Sequence, residues 1–114
     1  MSSKDKQVLE KILSHISAIL EYCRDCHSLE EFERDQIRVD ATVFNLMQIG
    51  ELAKTLLSDE VKQQITAVPW NDIYGLRNRI VHGYSGINLR MIWDTVSGDL
   101  QPLHEELSSV LRNN

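Results

Sequence analysis

Eight consecutive positions, from Arg77 to Tyr84, bring together two arginines, an amide, a histidine and a phenol: Arg77, Asn78, Arg79, His82 and Tyr84. A guanidinium cannot lose its charge and presents a planar fork matched to phosphate or carboxylate oxygens. Imidazole is the side-chain type that gains and loses a proton near neutrality. Side by side they are the parts of an anion site that could also move a proton. The surrounding charge fits that idea, because no acidic residue falls between Ile73 and Trp93 while Arg77, Arg79 and Arg90 do. The net charge of -5, from 12 Lys+Arg and 17 Asp+Glu, divides into +3 over this window and -8 over the rest. Three arginines scattered by chance and paired with nearby acids would give the same count. With no overall positive field to draw the protein to phosphates or anionic lipid, any nucleic-acid site must be local.

On a 100° helical wheel with Ile80 at zero, Leu76, Ile73, Val81 and Tyr84 share one apolar arc, and Arg77 falls inside it at about 60°. A guanidinium on an apolar face must be paired or face a cleft, since burying its charge alone is costly. Glu51, next to Gly50 in an earlier helical segment, is a candidate ion-pair partner. Asn78 and His82 are i,i+4 neighbours on the opposite, polar side, flanked by Gly75 and Arg79. A histidine on such a face, taken alone, is simply solvated; its grouping with arginine, amide and tyrosine at one helix end is what suggests a site.

Helices must hold these side chains. Leu9, Ile12, Leu13, Ile16, Ile19, Leu20 and Cys23 recur at spacings of three and four, which predicts a first helix from about Lys4 to Cys26. Ser28 can cap a short second helix, with Glu31 placed to complete a capping box. Beyond Asp35, apolar residues from Ile37 to Leu57 cover most of a helical circumference, which predicts a central helix. Ser58-Asp59-Glu60 opens one or two further turns, and Pro69 starts the helix Trp70 to about Gly83 that carries the motif. Asn88 can cap a last helix, periodic to Leu111, in which Pro102 predicts a kink near Gly98.

No segment alternates with period two and no repeat is visible. The expected fold is all-α: an antiparallel bundle of four to five helices forming a single domain over 1–114. The composition, 42% hydrophobic and 25% charged with 5 Gly and 2 Pro, excludes a disordered linker or tail. The start runs directly into the amphipathic pattern, so a cytoplasmic protein without membrane association is expected. Cys23-Arg24-Asp25-Cys26-His27 spells the C-x-x-C-H of haem attachment. Cys23, however, continues the apolar stripe of the first helix, and zinc would need two more ligands from His15, His82, His104 or carboxylates. Neither metal nor cofactor is expected.

Arg77-x4-His82-x-Tyr84 resembles the motif of the HepT-like toxins of the HEPN superfamily. Ile49-Gly50-Glu51, Pro69-Trp70 and Ile92-Trp93 fall where that family carries recurring residues, so the resemblance spans roughly residues 8 to 111. It implies a HEPN-like bundle and a homodimeric, metal-independent endoribonuclease, the toxin of a type VII-like toxin–antitoxin pair with an MNT-type nucleotidyltransferase as antitoxin. Arg77 and His82 would be the catalytic pair, Asn78 and Arg79 supporting residues, and Tyr84 the residue that the antitoxin adenylylates. A non-catalytic interaction module that regulates a nucleotidyltransferase, with Arg77 as a structural ion-pair residue, is the competing expectation.

RNA carries its own nucleophile, so metal-free cleavage needs a base, an acid and cations for the developing phosphorane. His82 suits the proton transfer and Arg77 the phosphate. On one helix the two diverge by about 140°, which favours a composite site across a dimer in which two motif helices pool their arginines. Gly75, without a side chain, could allow two such helices to approach.

Overall fold

The computed structural model describes residues 1–83 and 86–114. Regular structure among them is helical, with no strand. Four long rods make the bundle: α1 (Ser3–Tyr22), α3 (Gln36–Thr55), α5 (Trp70–His82) and a continuous final rod. In that rod α6 (Leu89–Asp94), a π-helical turn (Thr95–Asp99) and α7 (Leu100–Arg112) follow without a break. Two short helices, α2 (Leu29–Glu33) and α4 (Asp59–Gln64), serve as connectors. The expected all-α bundle is the observed architecture.

α1 buries Val8, Leu9, Ile12, Ile16 and Ile19, the stripe that the spacing implies. Each fully buried Leu or Ile contributes about 1.5–3 kcal/mol of transfer free energy. The helix stops at Tyr22, one turn short of the expected Cys26. Arg38 explains the stop: its Nε donates to the Tyr22 carbonyl at 3.1 Å and its Nη1 to the Glu31 carbonyl at 3.2 Å. One guanidinium thus satisfies carbonyls left open at the ends of α1 and α2. Cys23 and Cys26 beyond it are free thiols buried in the core. Burial pushes the Cys23 thiol above its usual range. Among the described residues no three His, Cys, Asp or Glu side chains gather where they could hold a metal ion.

α3 packs against α1 on one side and α5 on the other. His15 meets Asn45 and Cys23 meets Thr42, so α1 and α3 run antiparallel. Gly50 lies against Arg77, while Lys62, bonded to the Ala53 carbonyl, sits over the Tyr74 ring, so α3 and α5 are antiparallel too. α1, α5 and the short α2 leave part of α3 open, so the apolar circumference is not wholly covered: Ile37 is 81% and Phe44 53% exposed.

Pro102 does distort the last rod near Gly98. It has no N–H to give the carbonyl four residues back, and its ring crowds that carbonyl. The chain widens into the π turn, where Leu100 N–H reaches the Thr95 carbonyl. Phe32 and Trp93, with ring centroids 5.5 Å apart, pack α2 against α6. At the other end Asp5, 5% exposed, accepts from the Ser58 N–H at 2.9 Å, the Ser58 hydroxyl at 2.7 Å and the Ser2 hydroxyl at 3.1 Å. Burial alone would raise the Asp5 pKa, but these hydrogen bonds outweigh it and hold the carboxyl below its ordinary value. No helix among the described residues is long and apolar enough to cross a membrane.

Candidate active site

α5 begins at Trp70, just after Pro69, and the Trp70 indole anchors its first turn by donating to the Ile65 carbonyl at 3.1 Å. Ile80 is buried on the face turned to the core. Arg77, on the same flank, crosses to α3. Its side chain is 19% exposed, and Nε and Nη2 both lie 2.7 Å from Glu51 Oε2. Nη1 donates to Asn78 Oδ1 at 3.0 Å. A guanidinium has five N–H donors, so among the described residues three face a partner and two do not, one on each terminal nitrogen. The bound donors fix the plane of the group; the remaining two can take phosphate oxygens.

Gly50 makes that reach possible. A Cβ at position 50 would stand 2.4 Å from Arg77 Cβ and 2.9 Å from its Cγ. Gly75, by contrast, has nothing within 4 Å of where its Cβ would be, so within the chain it brings no helices together. The glycine on which close packing depends is Gly50, whose sequence signal is an isolated glycine inside a helical pattern.

The other motif residues lie apart from this cluster. Arg79 is exposed, with Nη1 2.8 Å from the Met91 thioether. It borders a groove of about 830 Å³ between α5, α3 and the last rod, floored by Leu46, Ile49, Leu76 and Leu103. Neither Arg77 nor His82 lines that groove, so it is not the candidate site. His82 is exposed in the last turn of α5. Among the described residues no hydrogen bond joins it to Arg77, Glu51 or Asn78. Tyr84 lies outside the described residues. One chain therefore gathers Arg77, Glu51 and Asn78, and leaves His82 separate at the helix end.

A family model described as ribonuclease HepT-like matches residues 12–110. The chain belongs to that family. It is 33% identical over 104 residues, 91% of each chain, to a protein of Caldanaerobacter subterraneus subsp. tengcongensis named as a candidate RNase. A candidate ribonuclease HepT of Thermococcus cleftensis is 31% identical over 103 residues, covering 90% of this chain and 92% of that one. A candidate RNase of Methanocaldococcus jannaschii is 30% identical over 114 residues, 99% of this chain and 93% of the relative. No solved structure gives a significant match. The HepT-like bundle is thus a HEPN-type ribonuclease fold, and Arg77 and His82 both stand on its α5.

Proposed function

We propose that this HepT-like protein is an endoribonuclease that cuts RNA without a metal ion, through Arg77 and His82. The observation that carries the reading is the anchored Arg77 guanidinium, tied to Glu51 and Asn78 with two donors left over. In the reaction the ribose 2′-oxygen bonds to the adjacent phosphorus as the bond from phosphorus to the 5′-oxygen breaks. The 2′-hydroxyl proton goes to a base and the 5′-oxygen takes a proton from an acid, leaving a 2′,3′-cyclic phosphate and a 5′-hydroxyl. His82 is the proton-transfer group, and Arg77 binds the non-bridging oxygens whose charge grows in the transition state. Because the two side chains diverge on α5, Arg77 of one copy works with His82 of a second in a homodimer.

In the cell the protein is the toxin of a type VII-like pair, acting in the cytoplasm and neutralised by an MNT-type nucleotidyltransferase that adenylylates Tyr84. An AMP attached two residues beyond His82 in the chain would add bulk and negative charge and exclude RNA by occlusion and repulsion. The acidic total limits general RNA affinity, so cleavage is selective. A second reading is favoured by the Arg77–Glu51 pair itself, which is also what a purely structural arginine would make; the protein is then a non-catalytic module that regulates the nucleotidyltransferase.

Cleavage of cellular RNA in the presence of EDTA separates the two. Fragments ending in 2′,3′-cyclic phosphate, absent with the Arg77→Ala/His82→Ala variant, support the ribonuclease. Equal cleavage by the double variant rejects it. Mass spectrometry after co-expression with the nucleotidyltransferase reads Tyr84, and full neutralisation with Tyr84 unmodified rejects adenylylation as the means of control.

A further inference from the structure

We propose that Gly50 is a positioning residue for the Arg77 site: its missing side chain is the seat on which Arg77 crosses α3 to reach Glu51. The inference rests on the reading of Arg77 given above only for its consequence in cleavage; the seat itself is a matter of contact geometry.

A glycine within a helix is conformationally unfavourable and exposes backbone, so its presence in α3 calls for a packing reason. Gly50 is buried, and a Cβ there would meet Arg77 Cβ at 2.4 Å, Arg77 Cγ at 2.9 Å and the Ile73 carbonyl oxygen at 3.3 Å. Arg77 Cβ is bonded to the α5 backbone and cannot swing aside, and Cγ could do so only by a χ1 rotation that withdraws the guanidinium from Glu51. Relief of the clash requires the α5 backbone to move outward from α3. Glu51 follows Gly50 in the chain, so the seat and the ion-pair acceptor are set by the same turn of α3. Outward movement of α5 lengthens both 2.7 Å contacts between Arg77 and Glu51 Oε2, and hydrogen bonds weaken steeply with such displacement. The guanidinium then loses the partner that fixes its plane. Gly50 touches no reacting atom; it acts through Arg77.

The test compares Gly50→Ala with Gly98→Ala, a site where an added Cβ meets nothing within 4 Å. The direct readout is the Arg77 Nε–H resonance, assigned by its disappearance in Arg77→Lys. In the wild-type protein and in Gly98→Ala it should be resolved and slow to exchange; in Gly50→Ala it should be lost while the far-ultraviolet helical signal remains. Cleavage by Gly50→Ala should fall roughly 100-fold in kcat with little change in KM, the signature of a misplaced group rather than lost binding. A retained Nε–H signal overturns the proposal. Loss of the signal with wild-type cleavage upholds the seat and rejects the catalytic reading of Arg77. If Gly50→Ala does not fold, Gly50→Ala/Arg77→Gly decides, since it removes both close atoms. Recovery of the fold in the double variant upholds the proposal, and continued failure overturns it.

Discussion

Removing the carboxylate that holds Arg77 is the sharpest perturbation of the site. Glu51 takes Nε and Nη2 of Arg77 on one oxygen, with both contacts at 2.7 Å. Charge-assisted hydrogen bonds are each worth about 1.5–3 kcal/mol when well shielded. Here the Glu51 side chain is 41% and that of Arg77 19% exposed, so water screens the pair. Discounted for that exposure, the two contacts together contribute about 1–2 kcal/mol. For a domain of this size Glu51→Ala should lower the melting temperature by roughly 4–8 °C. The effect on cleavage should be larger, because a guanidinium free to rotate no longer meets the phosphate in one geometry; a roughly 10- to 100-fold fall in kcat is expected. Glu51→Gln keeps an acceptor oxygen and should lie within about 10-fold of wild type. Thermal melts followed by circular dichroism and single-turnover cleavage of a defined RNA provide the two readouts. Melting and cleavage by Glu51→Ala both equal to wild type would refute the reasoning. A rate above wild type would mean that Glu51 restrains Arg77 rather than positions it.

Asp5 links stability to acid. Its carboxyl is held below the ordinary value, so the folded state is favoured above the unfolded-state pKa, and that stabilisation is lost as pH falls through the folded-state value. Asp5→Asn should therefore melt lower than wild type at pH 7, and the gap should narrow in titration melts below about pH 4. A constant gap would show that the charge is not involved. Cys23 and Cys26 are buried, and burial raises the Cys23 thiol above its ordinary value, so both should resist iodoacetamide at pH 7 in the folded protein and react in denaturant. Rapid labelling of the folded protein would place them at the surface.

Local features of the fold were legible in the sequence, and features made by distant partners were not. The stripe of α1 and the caps at Ser28, Ser58 and Asn88 follow from spacing and residue type, and the structure has all three hydroxyl or amide side chains accepting from the first turns of α2, α4 and α6. The end of α1 at Tyr22 was not legible, because Arg38, which caps its last carbonyl, is 16 residues further on. Nor was the burial of Asp5, whose partner Ser58 is 53 residues away. In the site, the wheel puts Arg77 among apolar residues and thereby demands a partner, and Glu51 is the acid it meets. The role of Gly50 depends on the distance between two helix backbones, which hydropathy does not encode. The exposure of Ile37 and Phe44 likewise reflects how many neighbours α3 has, which its own pattern leaves open.

The central claim is that Arg77 of one copy and His82 of another act together on one phosphodiester. Mixing Arg77→Ala with His82→Ala protein, allowing subunits to exchange, and measuring RNA cleavage tests it most directly. Each variant alone should be inactive, while random pairing makes about half of the dimers mixed, each with one intact site, so the mixture should recover about a quarter of wild-type activity. A mixture no more active than its inactive components would contradict the shared site.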